Sequence, residues 1–314
     1  MFYGTKSMSD GIFIAGGNIE QFISSSIIKK RGFIMRWGTV VLSDGTRTAA
    51  FLRDGEAVSV AAINSQCGKR YPLDLESVIA EDLDREVAAA GKNVPGELAG
   101  QVTVAAPLSR PERIVGIGLN YQAHARDLGE HVPQEPATFL KPLNTLIGPG
   151  DPIEIPVMSE RTTAEAEIAL VFGRGCRDVP SASWRQVIFG VVPVLDMTTE
   201  DILRKNPRFL TRAKGYDSFF SFGPWIVTLD ELSDLSSIVV ETLVNGEVQA
   251  RSPVSGMTYG PGDLVAFITA GVTVGATAVL STGTPGAAVI HPGDVAEARV
   301  SSVGMLSNPV AERR

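Results

Sequence analysis

The chain has 314 residues, 44% of them hydrophobic and 20% charged, which leaves room for one large core or two smaller ones and excludes a disordered or fibrous chain. A net charge of −7 without a basic stripe argues against nucleic acid as a partner. Only Cys67 and Cys176 are present, in no CxxC pair, so neither a disulfide framework nor a thiolate zinc site is signalled and a reducing cytoplasm fits.

Residues 1–34 lack the basic start, apolar middle and small-residue cleavage site of a secretory signal, and read as an extension or the product of an upstream start codon. From Met35 to Pro107 the pattern is that of a small N-terminal β-rich domain. Asp44-Gly45 and Asp54-Gly55 separate apolar runs, as hairpin turns do, because glycine readily takes φ > 0. Leu75, Val78, Ile79, Leu83 and Val87 recur at helical spacing, predicting one helix over 74–90 that Gly91 stops.

Residues 108–314 read as a longer β-dominated domain with the runs IVGIG, EIALVFG, GVVPVLD, IVVETLVNGEVQA, TAVLST and VAEARV. Short helices are predicted near 181–189 and 262–269. The uncharged stretch 264–290 is punctuated by Gly271, Gly275, Gly283, Pro285 and Gly286, so it reads as a buried helix followed by a strand rather than a membrane span. Regular βα alternation is missing. The fold class is therefore a mixed, β-rich α+β chain, a sandwich or roll rather than a doubly wound sheet.

The segment 164–172, AEAEIALVF, places Glu165 and Glu167 on one face of a strand, with Ala169 and Val171 continuing that face. Buried like charges call for a compensating cation, although an exposed strand end would also carry them. Asp196 closes the apolar run 190–195, where an acid is unexpected. Three carboxylates without Cys or His suit magnesium, manganese or calcium rather than zinc. Other motifs are poor matches. The third glycine of a G-x-G-x-x-G loop after Val115 falls on Tyr121, and no G-x-S-x-G elbow occurs.

The ordered motifs GLNYQAH (118–124), FLKP (139–142), EAE (165–167), DMT (196–198), KGYD (214–217), VNGE (244–247) and TGTP (282–285) resemble those of the fumarylacetoacetate hydrolase (FAH) family over roughly residues 113–310. The resemblance implies an FAH-type mixed β-sandwich roll, usually homodimeric, with Mg2+ or Mn2+, for which Ca2+ can substitute in crystals, held by Glu165, Glu167 and Asp196. It implies a small oxo-acid substrate and hydrolysis of a carbon–carbon bond in a 2,4-dioxo acid. The alternative is decarboxylation or isomerisation of 2-oxo or 2-hydroxydienoic acids. His124 takes the place of the general base, Asp127 that of an acid which assists it, and Lys214 that of the donor to the substrate's oxyanion. Tyr121, Lys141 and Thr284 take substrate-positioning places. The chain departs from the family pattern D-x-S/T-x-R-D-x-Q at Glu200 and Leu203, which stand where an Arg and a Gln are common. Dianionic substrates are therefore expected to fare worse than monoanionic ones.

Overall fold

Two turns show how local sequence sets the register. Asp54 (φ 51°) with Gly55 (φ 85°) and Asn245 (φ 54°) with Gly246 (φ 80°) both adopt left-handed backbone at two successive positions, the twist that a two-residue hairpin needs. They join the strands Arg47–Arg53 and Glu56–Ser59, and Val239–Val244 and Glu247–Pro253. The computed structural model describes residues 35–98, 100–127, 129 and 133–312, leaving aside the side chains of Ala123 and Asp127. The reading of residues 1–34 as an extension lies outside the described residues.

The architecture is mixed and β-rich, the described residues forming a 14-stranded sheet and a 5-stranded sheet. At the centre lies a long antiparallel pair, Thr162–Phe172 with Ile188–Thr199. The N-terminal strands continue the same sheet, since Arg36 pairs with Val227 and Trp37 with Ile226. Strand Val279–Ser281 lies against Thr162–Phe172 and runs parallel to Ile114–Gly118, which pairs with Ala137–Lys141.

Alternation divides the buried residues of the central pair between two cores. Ala164, Ala166, Ile168 and Leu170 join Val240, Ala298, Val300 and Leu306 of the second sheet. Ala169, Val171, Val192 and Val194 join Trp37, Phe51, Ile63, Leu75 and Phe220 on the N-terminal side. Glu165 and Glu167 belong by alternation to this second face, at the end where the apolar packing stops.

The single helix predicted over 74–90 is two, Leu75–Ala80 and Asp84–Ala90. Asp74 caps the first through Ser77 N, and Asp82 takes φ 56°, which no continuous helix tolerates. The turn after Pro180 is a 3-10 helix, Ser181–Gln186, that gives way to strand at Ile188. The helix Val60–Cys67 was not predicted, because its short apolar run lacks a clear period. The stretch 264–290 does hold a helix end, in Pro261–Thr269, and then the strand Val279–Ser281. Among the described residues no helix is long and apolar enough to cross a membrane.

Candidate metal and active site

Glu165 and Asp196 are register partners across the central pair, and Glu167 lies one step along the same face. Glu167 and Asp196 are each 1% exposed, whereas Glu165 is partly open. The three carboxylates offer oxygens that all lie within 4.8 Å of one another.

Two buried lysines meet this cluster. Lys214, at the end of the helix Leu210–Lys214, donates to Asp196 Oδ2 at 2.8 Å and to Glu165 Oε2 at 3.1 Å. Lys141, at the end of its strand, donates to Asp196 Oδ1 and to the Phe219 carbonyl, both at 2.6 Å, with Met197 O at 3.5 Å. Glu167 Oε2 accepts from Ser281 Oγ at 2.5 Å and from Gly283 N at 2.8 Å. Thr198 donates to Glu165 Oε1 at 2.7 Å.

Three carboxylates against two ammonium groups leave one negative charge uncompensated when all are ionised. Burial, reinforced by the Asp196 charge, pushes the Glu167 carboxyl up to about 8. Burial opposes ionisation of Asp196 too, but Lys141 and Lys214 outweigh it and hold that carboxyl low. Lys141 is pushed down to about 8 by burial despite Asp196. Lys214 is shifted the other way: burial works against its charge, yet Asp196 and Glu165 raise it. An all-oxygen donor set with residual negative charge fits a hard divalent cation, and Glu165, Glu167 and Asp196 are the residues able to hold one.

His124 is 7% exposed on the helix Gln122–Asp127. Asp127 ends that helix, and the contact expected between the two side chains lies outside what is described. Tyr121 is 1% exposed, and its hydroxyl has no hydrogen-bond partner among the described residues. Burial and the Glu167 charge push that phenol well above its ordinary range. The Thr284 hydroxyl bonds within its own turn, donating to Gly286 O at 3.0 Å and accepting from Gly286 N at 3.2 Å, and among the described residues no hydrogen bond links it to the carboxylates.

Three supporting residues carried no assigned role in the sequence. Thr198 stands two residues after Asp196, so strand alternation alone puts it on the same face. Ser281 comes from another strand, 114 residues from Glu167, with no local signal. Gly283 lies within the TGTP motif.

A family model described as fumarylacetoacetate (FAA) hydrolase C-terminal matches residues 113–311. The chain is similar to a solved structure of 5-carboxymethyl-2-hydroxymuconate delta-isomerase from Mycobacterium smegmatis, at 33% identity and TM-score 0.69, covering 89% of this chain and 100% of that one. It is similar to a maleylpyruvate hydrolase from Sphingobium sp. SYK-6, at 26% identity and TM-score 0.74, with 89% and 100% covered. A structure of that hydrolase in complex with manganese(II) and pyruvate aligns at 24% identity and shares the fold. It also matches the mitochondrial oxaloacetate tautomerase fahd2 of Xenopus laevis, at 32% identity over 67% of this chain and 68% of the relative.

Proposed function

The chain belongs to the fumarylacetoacetate hydrolase family, and from that premise we propose that it is a divalent-metal-dependent enzyme that hydrolyses a carbon–carbon bond in a 2,4-dioxo acid. The observation that carries this reading is the convergence of Glu165, Glu167 and Asp196 beside the buried Lys214. When bound, magnesium or manganese supplies Lewis-acid stabilisation to the oxygens of the oxo acid.

The chain's own residues do the rest. An ammonium group has three donors; Lys214 spends two on Asp196 and Glu165, which leaves one for the oxygen on which charge develops. Lys141 has its donors committed to Asp196 Oδ1 and to carbonyls, so it serves the site by fixing Asp196. Tyr121 brings a hydroxyl without a hydrogen-bond partner among the described residues, which a substrate oxygen would satisfy. His124 takes the proton from the attacking water, a task for which an imidazole is suited near neutral pH. Oxo acid and homodimer belong to the same reading and rest on the family resemblance, whereas a cytoplasmic location rests on the cysteine usage.

A second reading, isomerisation without bond cleavage, is favoured by the 33% identical relative, which is named an isomerase. Product analysis separates the two. Incubation with acylpyruvates and with hydroxymuconate-like acids is expected to give pyruvate plus a second acid from the former. A single product of unchanged mass from the latter alone, with acylpyruvates untouched, would establish isomerisation instead.

A further inference from the structure

Asn120 is 1% exposed and joins three parts of the molecule. Its amide nitrogen donates to the Thr282 carbonyl at 2.7 Å and to the Tyr259 carbonyl at 3.1 Å, while its amide oxygen accepts from Tyr259 N at 2.9 Å. Its own carbonyl accepts from Thr258 N at 2.7 Å. Both N–H groups and the oxygen of this amide are engaged, on a residue for which the chemistry above has no role.

Each end of the bonded set leads somewhere specific. Beyond Thr282 lies Gly283, whose N–H holds Glu167 Oε2 at 2.8 Å. Gly283 has φ +94°, and a Cβ there would lie 2.8 Å from Asn120 Cβ, so only glycine permits so close an approach. At the other end the Tyr259 hydroxyl donates to the Pro133 carbonyl at 2.8 Å. Tyr121 bridges Met257 in antiparallel fashion, and Ala125 N bonds Tyr121 O at the start of the helix that carries His124. Met257, Thr258 and Tyr259 thus grip the chain both before His124, at Asn120 and Tyr121, and after it, at Pro133.

We infer that Asn120 and Tyr259 form a brace that fixes the His124 helix relative to the Glu167 end of the acidic cluster, and that Tyr259 is a positioning residue acting through His124. The kinetic part rests on the reading of His124 as the base; the mechanical part does not.

Tyr259→Phe tests it in the full-length protein, since it removes one hydroxyl and keeps the ring. The amides of residues 122–127 are expected to exchange hydrogen about tenfold faster, the scale of one lost hydrogen bond. kcat is expected to fall about tenfold while KM and Mn2+ affinity stay within about twofold, because the substrate and metal contacts remain. In a His124→Ala background the same change is expected to cost nothing further in kcat, since the group being positioned is gone. Unchanged exchange overturns the brace. An equal fall in kcat in both backgrounds, or no fall from Tyr259→Phe in the protein that keeps His124 while His124→Ala alone is inactive, overturns the action through His124. If His124→Ala retains full turnover while exchange accelerates, the brace stands and the base assignment falls instead.

Discussion

Glu165 and Asp196 stand directly opposite each other across the central antiparallel ladder, and Lys214 bonds to both. Like charges in opposed positions repel, and here the pair is largely withdrawn from water. Lys214 offsets that repulsion, being only 5% exposed itself.

Lys214→Met is therefore expected to destabilise the metal-free protein by about 3–5 kcal/mol, the scale for removing one partner of a buried ion pair. Mn2+ should restore most of this loss, because the freed carboxylates then share a cation. Thermal melts with and without Mn2+ check it. An equal loss in both conditions would mean that the acidic cluster takes no metal. Turnover should also fall by about 10²–10³, as when a donor to a developing oxyanion is removed.

The Glu167 carboxyl provides a pH signature. Its folded-state pKa is raised from 4.5 to about 8, so the stability that it contributes is fully present below pH 4.5 and is lost as pH rises through 8. The metal-free protein should thus weaken between pH 5 and 8, and Glu167→Gln should flatten that slope. Lys141, lowered to about 8, acts in the separate window between 8 and 10.5. Metal must displace the Glu167 proton, so affinity should rise by up to about tenfold per pH unit below 8. Calorimetry in two buffers of different ionisation heat would detect the released proton. Affinity independent of pH would remove Glu167 from the ligand set.

The legible parts of this site are the ones written locally. Two glutamates at i and i+2 in a strand pattern share a face, and an aspartate closing an apolar run is conspicuous; the register then sets Asp196 opposite Glu165. Asp54-Gly55 and Asn245-Gly246 are equally local, and both form the expected turns. The commitment of Lys141 to Asp196 joins residues 55 apart, and Ser281 reaches Glu167 from 114 residues away. No pattern within one window carries such pairings. The break between Ala80 and Asp84 was hidden for a different reason: Leu83 and Val87 keep the helical period across a residue, Asp82, whose backbone leaves it.

His124→Ala is expected to lower turnover by about 10²–10⁴ and leave metal affinity unchanged, because general base catalysis is lost while the carboxylates are untouched. Steady-state kinetics beside Mn2+ titration checks both halves. Full activity in this variant would rule out the hydrolytic role of His124.

Glu200 opens the helix Glu200–Lys205, and its carboxylate binds Arg161 and, at 2.6 Å, Arg204. Glu200, which the sequence resemblance sets where an arginine is expected, thus ties up two guanidinium groups, whose side chains are 45% and 63% exposed. Small dianions lose a cation at position 200, so kcat/KM is expected to favour monoanionic acylpyruvates over oxaloacetate. Glu200→Gln should free Arg161 and Arg204 and shift that ratio toward oxaloacetate by about tenfold, the effect of one charge-assisted contact. The fold should tolerate the change, since Gln keeps the size of the Glu200 side chain and both guanidinium partners remain open to water. Competition between the two substrates in one reaction gives the ratio directly. A wild-type preference for oxaloacetate, or a ratio unmoved by Glu200→Gln, would show that selection by charge is made elsewhere in the site.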